Sequence, residues 1–448
     1  MKRNMRSFTT VLLAILLLLI SDYSFAQQPP WRLANGTQSI HINDIAVYPG
    51  NLDTLYAIAS EEFLLSTDQG ENWQIIPNVI EGGASAALKV DPFDSRRIYA
   101  SHYYSSQGSN GVSMSTDGGY NWQLLFWGTF VQAAVVEIDP SNHWIIYAGQ
   151  GPDDIRKSTD HGLTWDLLPT DSTMFGFYDL AIAPTDPQVL YAGYFTGIFK
   201  SSDGGDQWEE LPLGFQVTWP RVAVDPRDER IVYVTSFTYG SDSGGVFKSV
   251  DGGETWKAMN NGLTQNDWDI ETIEINPQNP NELFIGTGGG FPQANILFRT
   301  TNGGEDWVQF TNGLPDSGHV SSIVIDSQYN RIYIGVNAFD ATGIYIYDKE
   351  ISVDHEPIEM LEGFGLYQNY PNPFNSTTII PFRLTTREWV ELVIYDITGK
   401  QTTTLLQGYK APGTHNIVWN AGGLPGGVYF YKMTIGSHSQ VKKALLIK

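Results

Sequence analysis

The chain has 448 residues and no cysteine, which excludes disulfide bonds and thiolate metal sites. Its 49 aspartate and glutamate residues outnumber 26 lysine and arginine residues, so the net charge is −23. The acidic excess lies in residues 27–366, whereas residues 367–448 are net basic. An acidic body of this kind repels phosphate backbones, so nucleic acid is not expected as a partner.

The first 26 residues have the layout of a secretory signal peptide. Basic residues near the start precede the apolar run Val11–Ile20, and the small residues Ser24 and Ala26 follow it. A run of this length is too short to cross a bilayer, so it predicts a cleaved signal rather than an anchor. We expect residues 1–26 to be removed, leaving a mature chain without a membrane span. Export without cysteine favours a bacterial envelope protein.

An octet with the pattern Ser/Thr-x-Asp/Asn-x-Gly-x-x-Trp recurs six times between residues 66 and 307. The repeats are 43–51 residues apart, and their third position is occupied by Asp68, Asp117, Asp160, Asp203, Asp251 and Asn302. Three short apolar or aromatic segments precede each octet, and a fourth begins at its Trp. Four strands per repeat of this length are typical of a β-propeller blade. With no amphipathic helix in the sequence, the prediction is an all-β fold.

The octet is expected to form the turn between the third and fourth strands of each blade. Its Asp can accept backbone N–H groups across the turn, and its Gly supplies a positive φ without steric cost. Its Trp can pack between neighbouring blades while the indole N–H finds an acceptor. The six repeated carboxylate and amide side chains are therefore predicted to be structural rather than catalytic.

A seventh blade is predicted from a degenerate repeat. Val320–Gly335 and Gly343–Glu350 supply three strands, but no Trp follows where the seventh octet should lie. The missing fourth strand is expected from Trp31–Gly36, because that segment mirrors Trp307–Gly313 before the seventh blade. Pairing of the two ends would close the ring and remove the open sheet edges. Residues 27–349 are thus predicted to form one seven-bladed propeller.

The rest of the chain differs in character. Residues 350–366 are expected to be a polar linker. Residues 367–448 contain six or seven short strands separated by Pro and Gly turns, which predicts a small immunoglobulin-like β-sandwich.

Two resemblances extend this interpretation. The octets resemble the Asp-box (BNR) repeat of sialidases, xyloglucan-hydrolysing glycosidases, sortilin-type receptors and a photosystem II assembly factor. Since that family includes both enzymes and binding proteins, the fold does not decide the function. The tail segments YQNYPNPFNSTTIIPFRL and GTHNIVWNAGGLPGGVYFYKM resemble the C-terminal sorting domain of type IX secretion. That resemblance implies recognition by the type IX machinery and export, through the periplasm, to the outer cell surface or the medium.

Candidate site residues come from aligning the first strand of each blade on its terminal Pro or on Ser327. One position per blade then lies at the channel mouth, occupied by Asp44, Ala87, Val135, Asp179, Arg221, Thr272 and Ser322. Glycoside hydrolysis needs two carboxylates across a cleft. Asp44 and Asp179 lie three blades apart and could supply them, and Glu271 is a third candidate. The alternative is that these are ordinary solvent-facing side chains.

Aromatic residues are frequent in the loops toward the same face, and exposed aromatic clusters mark ligand surfaces. The predicted ligand-binding residues are Trp127, Phe177, Tyr178, Trp219, Arg221 and Trp268. A binding protein for a peptide or glycan is favoured over a xyloglucanase-like hydrolase. Sialidase chemistry is disfavoured because it needs three arginines and only Arg221 falls at an inner-strand position. The sequence has no metal-ligand spacing and no phosphate loop, so neither metal nor cofactor is expected.

Overall fold

The computed structural model describes residues 31–349 and 364–446, apart from short gaps. The gaps are 49–52, 60–61, 78–83, 105–108, 129–134, 151–153, 171–172, 237–243, 289–295, 327–329, 340, 368, 370–371, 373, 385 and 437. The predicted signal peptide and most of the predicted linker lie outside the described residues.

Six antiparallel four-stranded sheets follow one another along the chain, each with its strands in sequence order. The strands of blades 1–3 are Ile42–Val47, Leu55–Ala59, Phe63–Ser66, Gln74–Ile76; Ala84–Asp91, Asp94–Tyr104, Ser109–Ser115, Gln123–Gly128; and Val135–Ile138, Ile146–Gln150, Asp154–Ser158, Asp166–Leu167. Those of blades 4–6 are Phe177–Ile182, Leu190–Tyr194, Gly197–Ser201, Glu209–Glu210; Arg221–Val224, Val232–Ser236, Gly245–Ser249, Lys257–Ala258; and Ile270–Ile275, Leu283–Thr287, Leu297–Thr300, Val308–Gln309.

The seventh blade is completed by the N-terminal end of the described chain. Its strands are His319–Asp326, Arg331–Asn337, Gly343–Asp348 and, as the fourth, Arg32–Leu33. Arg32 pairs with Ile346, and Leu33 pairs with Tyr345. The predicted ring closure and the seven-bladed fold are confirmed.

The first strands form an inner ring, since each contacts the first strands of the two neighbouring blades. We call the space inside this ring the channel. The hydrophobic clusters lie between blades rather than within them. In one cluster, for example, Trp73 and Leu64 of blade 1 pack with Tyr333 and Ile344 of blade 7. Strand-forming Val, Ile and Tyr side chains thus stabilise both the sheets and their contacts.

The octet turns have the predicted geometry. In the first octet, Asp68 accepts the Asn72 backbone N–H at 3.0 Å and the Ser66 hydroxyl at 2.9 Å. The Trp73 indole donates to the Gly70 carbonyl at 2.9 Å. The same serine or threonine and carboxylate or amide bonds recur in the other five octets. The structural interpretation of these residues therefore agrees with their contacts.

A tyrosine hydroxyl joins most blades to the next octet turn. The tyrosine lies on the second strand, and it donates to the main-chain carbonyl of the fourth octet residue in the following blade. The pairs are Tyr99 to His161, Tyr147 to Gly204, Tyr233 to Gly303 and Tyr333 to Gln69, at 2.8–3.1 Å. The Tyr191 hydroxyl of blade 4 lies nearer the Glu229 carbonyl, at 3.0 Å, than the Gly252 carbonyl, at 3.4 Å. In blade 1, Tyr56 donates instead to the Ser95 carbonyl at 3.0 Å. We call this contact the tyrosine clasp.

Blade 6 has a phenylalanine where the clasp tyrosine would be. Phe284 is fully buried and packs near Phe310. The next blade has no octet in its sequence, so the usual partner of the clasp is not conserved there. The loss of the hydroxyl in blade 6 therefore agrees with the eroded repeat in blade 7.

The tail forms two sheets around one core that includes Trp419 and Tyr431. One sheet contains Phe364–Leu366, Thr377–Leu384 and Gly413–Asn420, and the other contains Gln401–Lys410, Glu388–Asp396, Gly427–Ile435 and His438–Leu446. The first of these strands falls within the range that the sequence assigns to the linker. A short 3-10 helix spans Gln265–Asp267. Among the described residues, no helix has the length and apolarity to span a membrane.

Ring closure depends on Trp31, whose buried indole donates to the Phe310 carbonyl at 2.9 Å. We expect Trp31→Ala to lower the free energy of unfolding by about 3–5 kcal/mol, because a large buried aromatic is lost. The measurement is urea denaturation followed by tryptophan fluorescence. Trp144→Ala is the control, because that side chain is half exposed and its loss should cost less than about 1 kcal/mol. Equal stability of the two variants would contradict closure by the N-terminal strand.

Candidate functional site

Each first strand places two side chains toward the channel, two residues apart, because side chains alternate along a strand. The mouth level is the row predicted from the sequence. The second row, deeper in the channel, contains Ala46, Lys89, Glu137, Ala181, Ala223, Glu274 and Val324. Where the mouth residue is charged, the deeper one is alanine, and the deeper charges occur only below uncharged mouth residues. The deeper charged residues, Lys89, Glu137 and Glu274, each stand two residues after a mouth residue, so the same alignment of first strands contains them.

Asp44 joins blade 1 to both of its neighbours. Its Oδ2 accepts the Leu88 N–H of blade 2 at 2.8 Å, and its Oδ1 accepts the Ser322 hydroxyl of blade 7 at 2.7 Å. The Ile45 N–H also donates to Oδ1, at 2.9 Å. Burial raises the pKa of Asp44, although these bonds and the charge of Lys89 oppose the shift. The carboxylate thus already satisfies a main-chain donor of the next blade.

Asp179 plays the same part between blades 4 and 5. Its Oδ2 accepts the Val222 N–H at 2.9 Å, and its Oδ1 accepts the Leu180 N–H at 3.0 Å. Burial raises the pKa of Asp179, and the charge of Arg221 opposes that shift. Catalysis by Asp44 and Asp179 remains a prediction, but both carboxylates have an evident structural role.

Arg221 spans three blades beneath the mouth. Its Nε donates to the Glu271 carbonyl of blade 6 at 2.7 Å, and its Nη1 donates to the Tyr178 carbonyl of blade 4 at 3.3 Å. One guanidinium therefore draws the upper ends of two non-adjacent first strands toward each other. Its ligand-binding role remains a prediction.

Lys89 is the charged centre of the deeper level. Its ammonium pairs with Glu137 at 2.8 Å, and it lies close enough to Asp44 and Glu274 to affect their ionisation. The Lys89 side chain is 41% exposed and lies on a first strand that borders the channel. Burial alone would lower the pKa of Lys89, but attraction by Glu137, Asp44 and Glu274 raises it. Lys89 therefore stays charged and neutralises part of an otherwise acidic channel.

Glu274 is another channel carboxyl whose pKa is raised. Burial raises its pKa to about 7, and repulsion by Glu137 and Asp44 adds to the shift that Lys89 opposes. A carboxyl of this kind changes its charge near neutral pH.

The channel mouth carries an exposed aromatic ledge on blades 4 and 5. Phe175, Phe195 and Trp219 expose 56%, 47% and 46% of their surfaces. The Phe195 N–H donates to the Gly176 carbonyl at 2.7 Å, which brings the main chain next to Phe175 close to that of Phe195. Trp219 has a φ of 49° and hydrogen-bonds the Tyr178 side chain. A positive φ is uncommon outside glycine and points to a fixed conformation at this site.

An acidic pair lies beyond Arg221 on blade 6. A β-carbon added at Gly288 would meet carboxylate oxygens of both Asp269 and Glu271, so the two carboxylates converge. Burial and the charge of Glu271 raise the pKa of Asp269. Glu271 bonds His319 Nδ1 at 3.1 Å, and this hydrogen bond raises the pKa of His319. We call Asp269, Glu271 and His319 the acidic notch. The sequence alignment singled out only Glu271.

The remaining predicted ligand residues have different surroundings. Phe177 is fully buried against Tyr194, so the expectation that it contacts a ligand is corrected: it belongs to the core between blades. Trp268 is partly buried, and its indole N–H has no hydrogen-bond partner. Trp127 lies in strand Gln123–Gly128, but its side chain is outside the described part of the chain.

Channel stability should depend on pH through Glu274. A carboxyl whose pKa is raised in the folded state stabilises the fold below its unfolded pKa and loses that contribution as the pH passes its folded pKa. With a folded pKa of about 7 against 4.5, Glu274 should make the protein lose stability from about pH 5 to pH 8. Glu274→Gln should remove this part of the loss, measured as the free energy of unfolding in urea at both pH values.

Glu254→Gln is the matched control, because Glu254 is an exposed octet residue. It should keep the pH dependence of the parent chain. If Glu274→Gln had the same pH dependence of unfolding as the parent chain, ionisation of Glu274 would not be the source of that dependence.

The tail is identified by its sequence. Residues 368–448 match the family described as the secretion system C-terminal sorting domain. The expected sorting domain is confirmed. The chain is accordingly an exported protein, secreted or displayed at the cell surface.

A xyloglucanase from Paenibacillus sp is 26% identical over 263 residues, which cover 55% of this chain and 23% of that protein. The chain thus spans less than a quarter of the length of this curated relative.

Solved structures show the same fold at low identity. The GH74 enzyme of Niastella koreensis aligns with a TM-score of 0.54 and 17% identity, over 94% of this chain and 75% of that one. YCF48 bound to a D1 peptide aligns with a TM-score of 0.53 and 13% identity, over 72% of this chain and 98% of that one. These similarities confirm the β-propeller and leave its activity open.

Proposed function

We propose that the chain is an exported binding protein that holds an extracellular peptide or glycan at the channel mouth. The observation that carries this proposal is the exposed aromatic ledge beside the acidic notch. Phe175, Phe195 and Trp219 offer flat apolar faces that remain accessible in the folded chain. An exposed aromatic patch of this kind lowers solubility, and such patches commonly mark binding sites.

The acidic notch favours a ligand with basic groups. Asp269 and Glu271 bring two carboxylates together, and His319 pairs with Glu271. Side chains of lysine or arginine can pair with these carboxylates while their apolar stems or neighbours pack on the ledge. A peptide with basic and apolar side chains therefore fits the mouth better than a neutral glycan.

The contacts of the charged first-strand residues at the mouth level favour binding rather than reaction in the channel. Asp44 and Asp179 each bond a main-chain N–H of the next blade, and Arg221 bonds two carbonyls. Side chains that fasten blades together are poorly placed to move during catalysis. The tail, residues 367–448, is proposed to be the segment that the type IX secretion machinery recognises.

Glycoside hydrolysis is the second candidate function, with Asp269 and Glu271 of the acidic notch as the candidate catalytic carboxylates. Retaining glycosidases hold their two carboxyl groups about 5–5.5 Å apart, and the converging oxygens of Asp269 and Glu271 are no farther apart than that. The raised pKa of Asp269 suits a general acid, and Glu271 would be the nucleophile. The similarity to a protein named xyloglucanase favours testing this reaction first.

Binding should depend on Trp219. On peptide and glycan arrays, followed by calorimetry with the best ligand, we expect Trp219→Ala to weaken binding about 10–100-fold, as for a central aromatic contact. Tyr120→Ala is the control, because Tyr120 is equally exposed but lies on an octet turn at the other end of the blades. Unchanged affinity in Trp219→Ala would place the ligand elsewhere.

Hydrolysis is tested by incubating the full chain with xyloglucan and other plant and bacterial glycans and measuring reducing ends. The binding proposal expects no product. Product release that Glu271→Gln abolishes would replace it with hydrolysis at the notch, and release that Asp179→Asn abolishes would assign the reaction to the channel pair instead.

A further inference from the structure

Asp91, His143 and His161 meet at the octet end of blades 2 and 3, away from the mouth. Asp91 ends the first strand of blade 2, and His143 lies in the turn after the first strand of blade 3. His161 is the fourth residue of the blade 3 octet. One nitrogen or oxygen of each lies within 4.8 Å of the others. Because the three residues are far apart in sequence, no ligand spacing revealed them.

The other blades show what the fold itself requires at these positions. The fourth octet residue is glycine in four of the six octets, yet His161 holds the same position with a φ of 62°. Gln69 holds the same position of the first octet with the same φ, so the turn tolerates a side chain there but does not require a histidine. Asp91 Oδ1 caps its turn by accepting the Phe93 N–H at 2.8 Å, as Asp225 does for Arg227. The Oδ2 atom of Asp91 takes no part in this cap and instead lies near His143 and Arg97.

Both imidazoles are held in place by neighbours. Trp144 packs on the His161 ring with 4.1 Å between ring centroids. Tyr99 fixes the His161 main chain through the tyrosine clasp, at 3.1 Å. The His143 ring packs on Phe93 at 4.8 Å, and its Nδ1 lies 2.9 Å from both Asp91 oxygens.

A cation already sits among the three side chains. Arg97 Nη1 lies 2.9 Å from His161 Nδ1 and 3.2 Å from Asp91 Oδ2. The fit of this guanidinium is incomplete, because its Nε is buried without a hydrogen-bond partner. The equivalent residues of blades 3, 4 and 5 are the apolar Ile145, Val189 and Ile231, so the fold does not require a cation here. Blade 7 has Arg331 at this position, but that arginine pairs with the carboxylates of Glu71 and Asp348 rather than with histidines.

The geometry points to a divalent transition-metal site made by Asp91, His143 and His161, which Arg97 occupies when no metal is bound. Two imidazoles and one carboxylate are a ligand set that suits Zn²⁺, at bond lengths of about 2.0–2.2 Å, with water in the fourth position. Binding requires His143 to carry its proton on Nε2 and Arg97 to swing toward solvent. The site is separate from the mouth, so it does not rest on the proposed function.

The test uses the full chain, stripped with a chelator and titrated with Zn²⁺ by calorimetry and with Co²⁺ by visible absorption. We expect one ion per chain. His161→Gly restores the residue of four other octets, so it should fold, and it should weaken binding more than about 100-fold, since even outer-shell changes cost about 10–100-fold. Arg97→Ile copies the blade 3 and blade 5 residue, and it should strengthen binding at least tenfold by removing the competing cation. His41→Ala, an exposed histidine of blade 1, is the control and should bind as the parent chain does.

Three results would overturn the site. The first is no one-to-one binding by the parent chain, even if Arg97→Ile binds, because the native chain would then not hold the metal. The second is undiminished binding by His161→Gly. The third is a loss of binding in His41→Ala equal to that in His161→Gly.

Discussion

The contact on which the ring depends is a hydrogen bond from one blade to a main-chain atom of the next. At the octet end it is the tyrosine clasp, in which a buried hydroxyl reaches the carbonyl of an octet turn. At the channel it is a polar side chain such as Asp44 or Asp179 that accepts a first-strand N–H. Each bond adds only about 1 kcal/mol, but leaving its buried partner unsatisfied would cost more. These bonds therefore favour one register between neighbouring blades.

This arrangement gives the charged side chains of the first strands a structural role around the channel. Polar side chains of neighbouring first strands lie close together around the channel. The positive charge of Lys89 offsets the negative charges of Glu137, Asp44 and Glu274. Ion pairs of this kind are weak evidence for stability, yet removing one partner leaves buried charge uncompensated. The accessible side chains are left for the loops above, where Trp219 and the acidic notch lie on either side of Arg221.

The sequence predicted the repeated features well and the particular ones poorly. The octets and the strands could be predicted because their patterns recur along the chain. Ring closure by Trp31 could be predicted because its segment resembles Trp307–Gly313. The clasp could have been found in the same way, from the tyrosine of each second strand and its replacement by Phe284. The acidic notch depends on the position of the Gly288 main chain, which lies next to the carboxylates of Asp269 and Glu271. Phe177 was predicted to be an aromatic residue of a binding loop, but it is buried. Such contacts depend on loop conformations that no periodicity records.

The central claim is that the ligand lies on the mouth loops of blades 4–6. Hydrogen–deuterium exchange of the full chain, with and without the tightest-binding peptide or glycan from an array, tests it most directly. The account predicts slower exchange in residues 173–179, 194–196, 217–221 and 268–272, with the octet turns unchanged. Slower exchange confined to the octet turns or to residues 364–446 would contradict it.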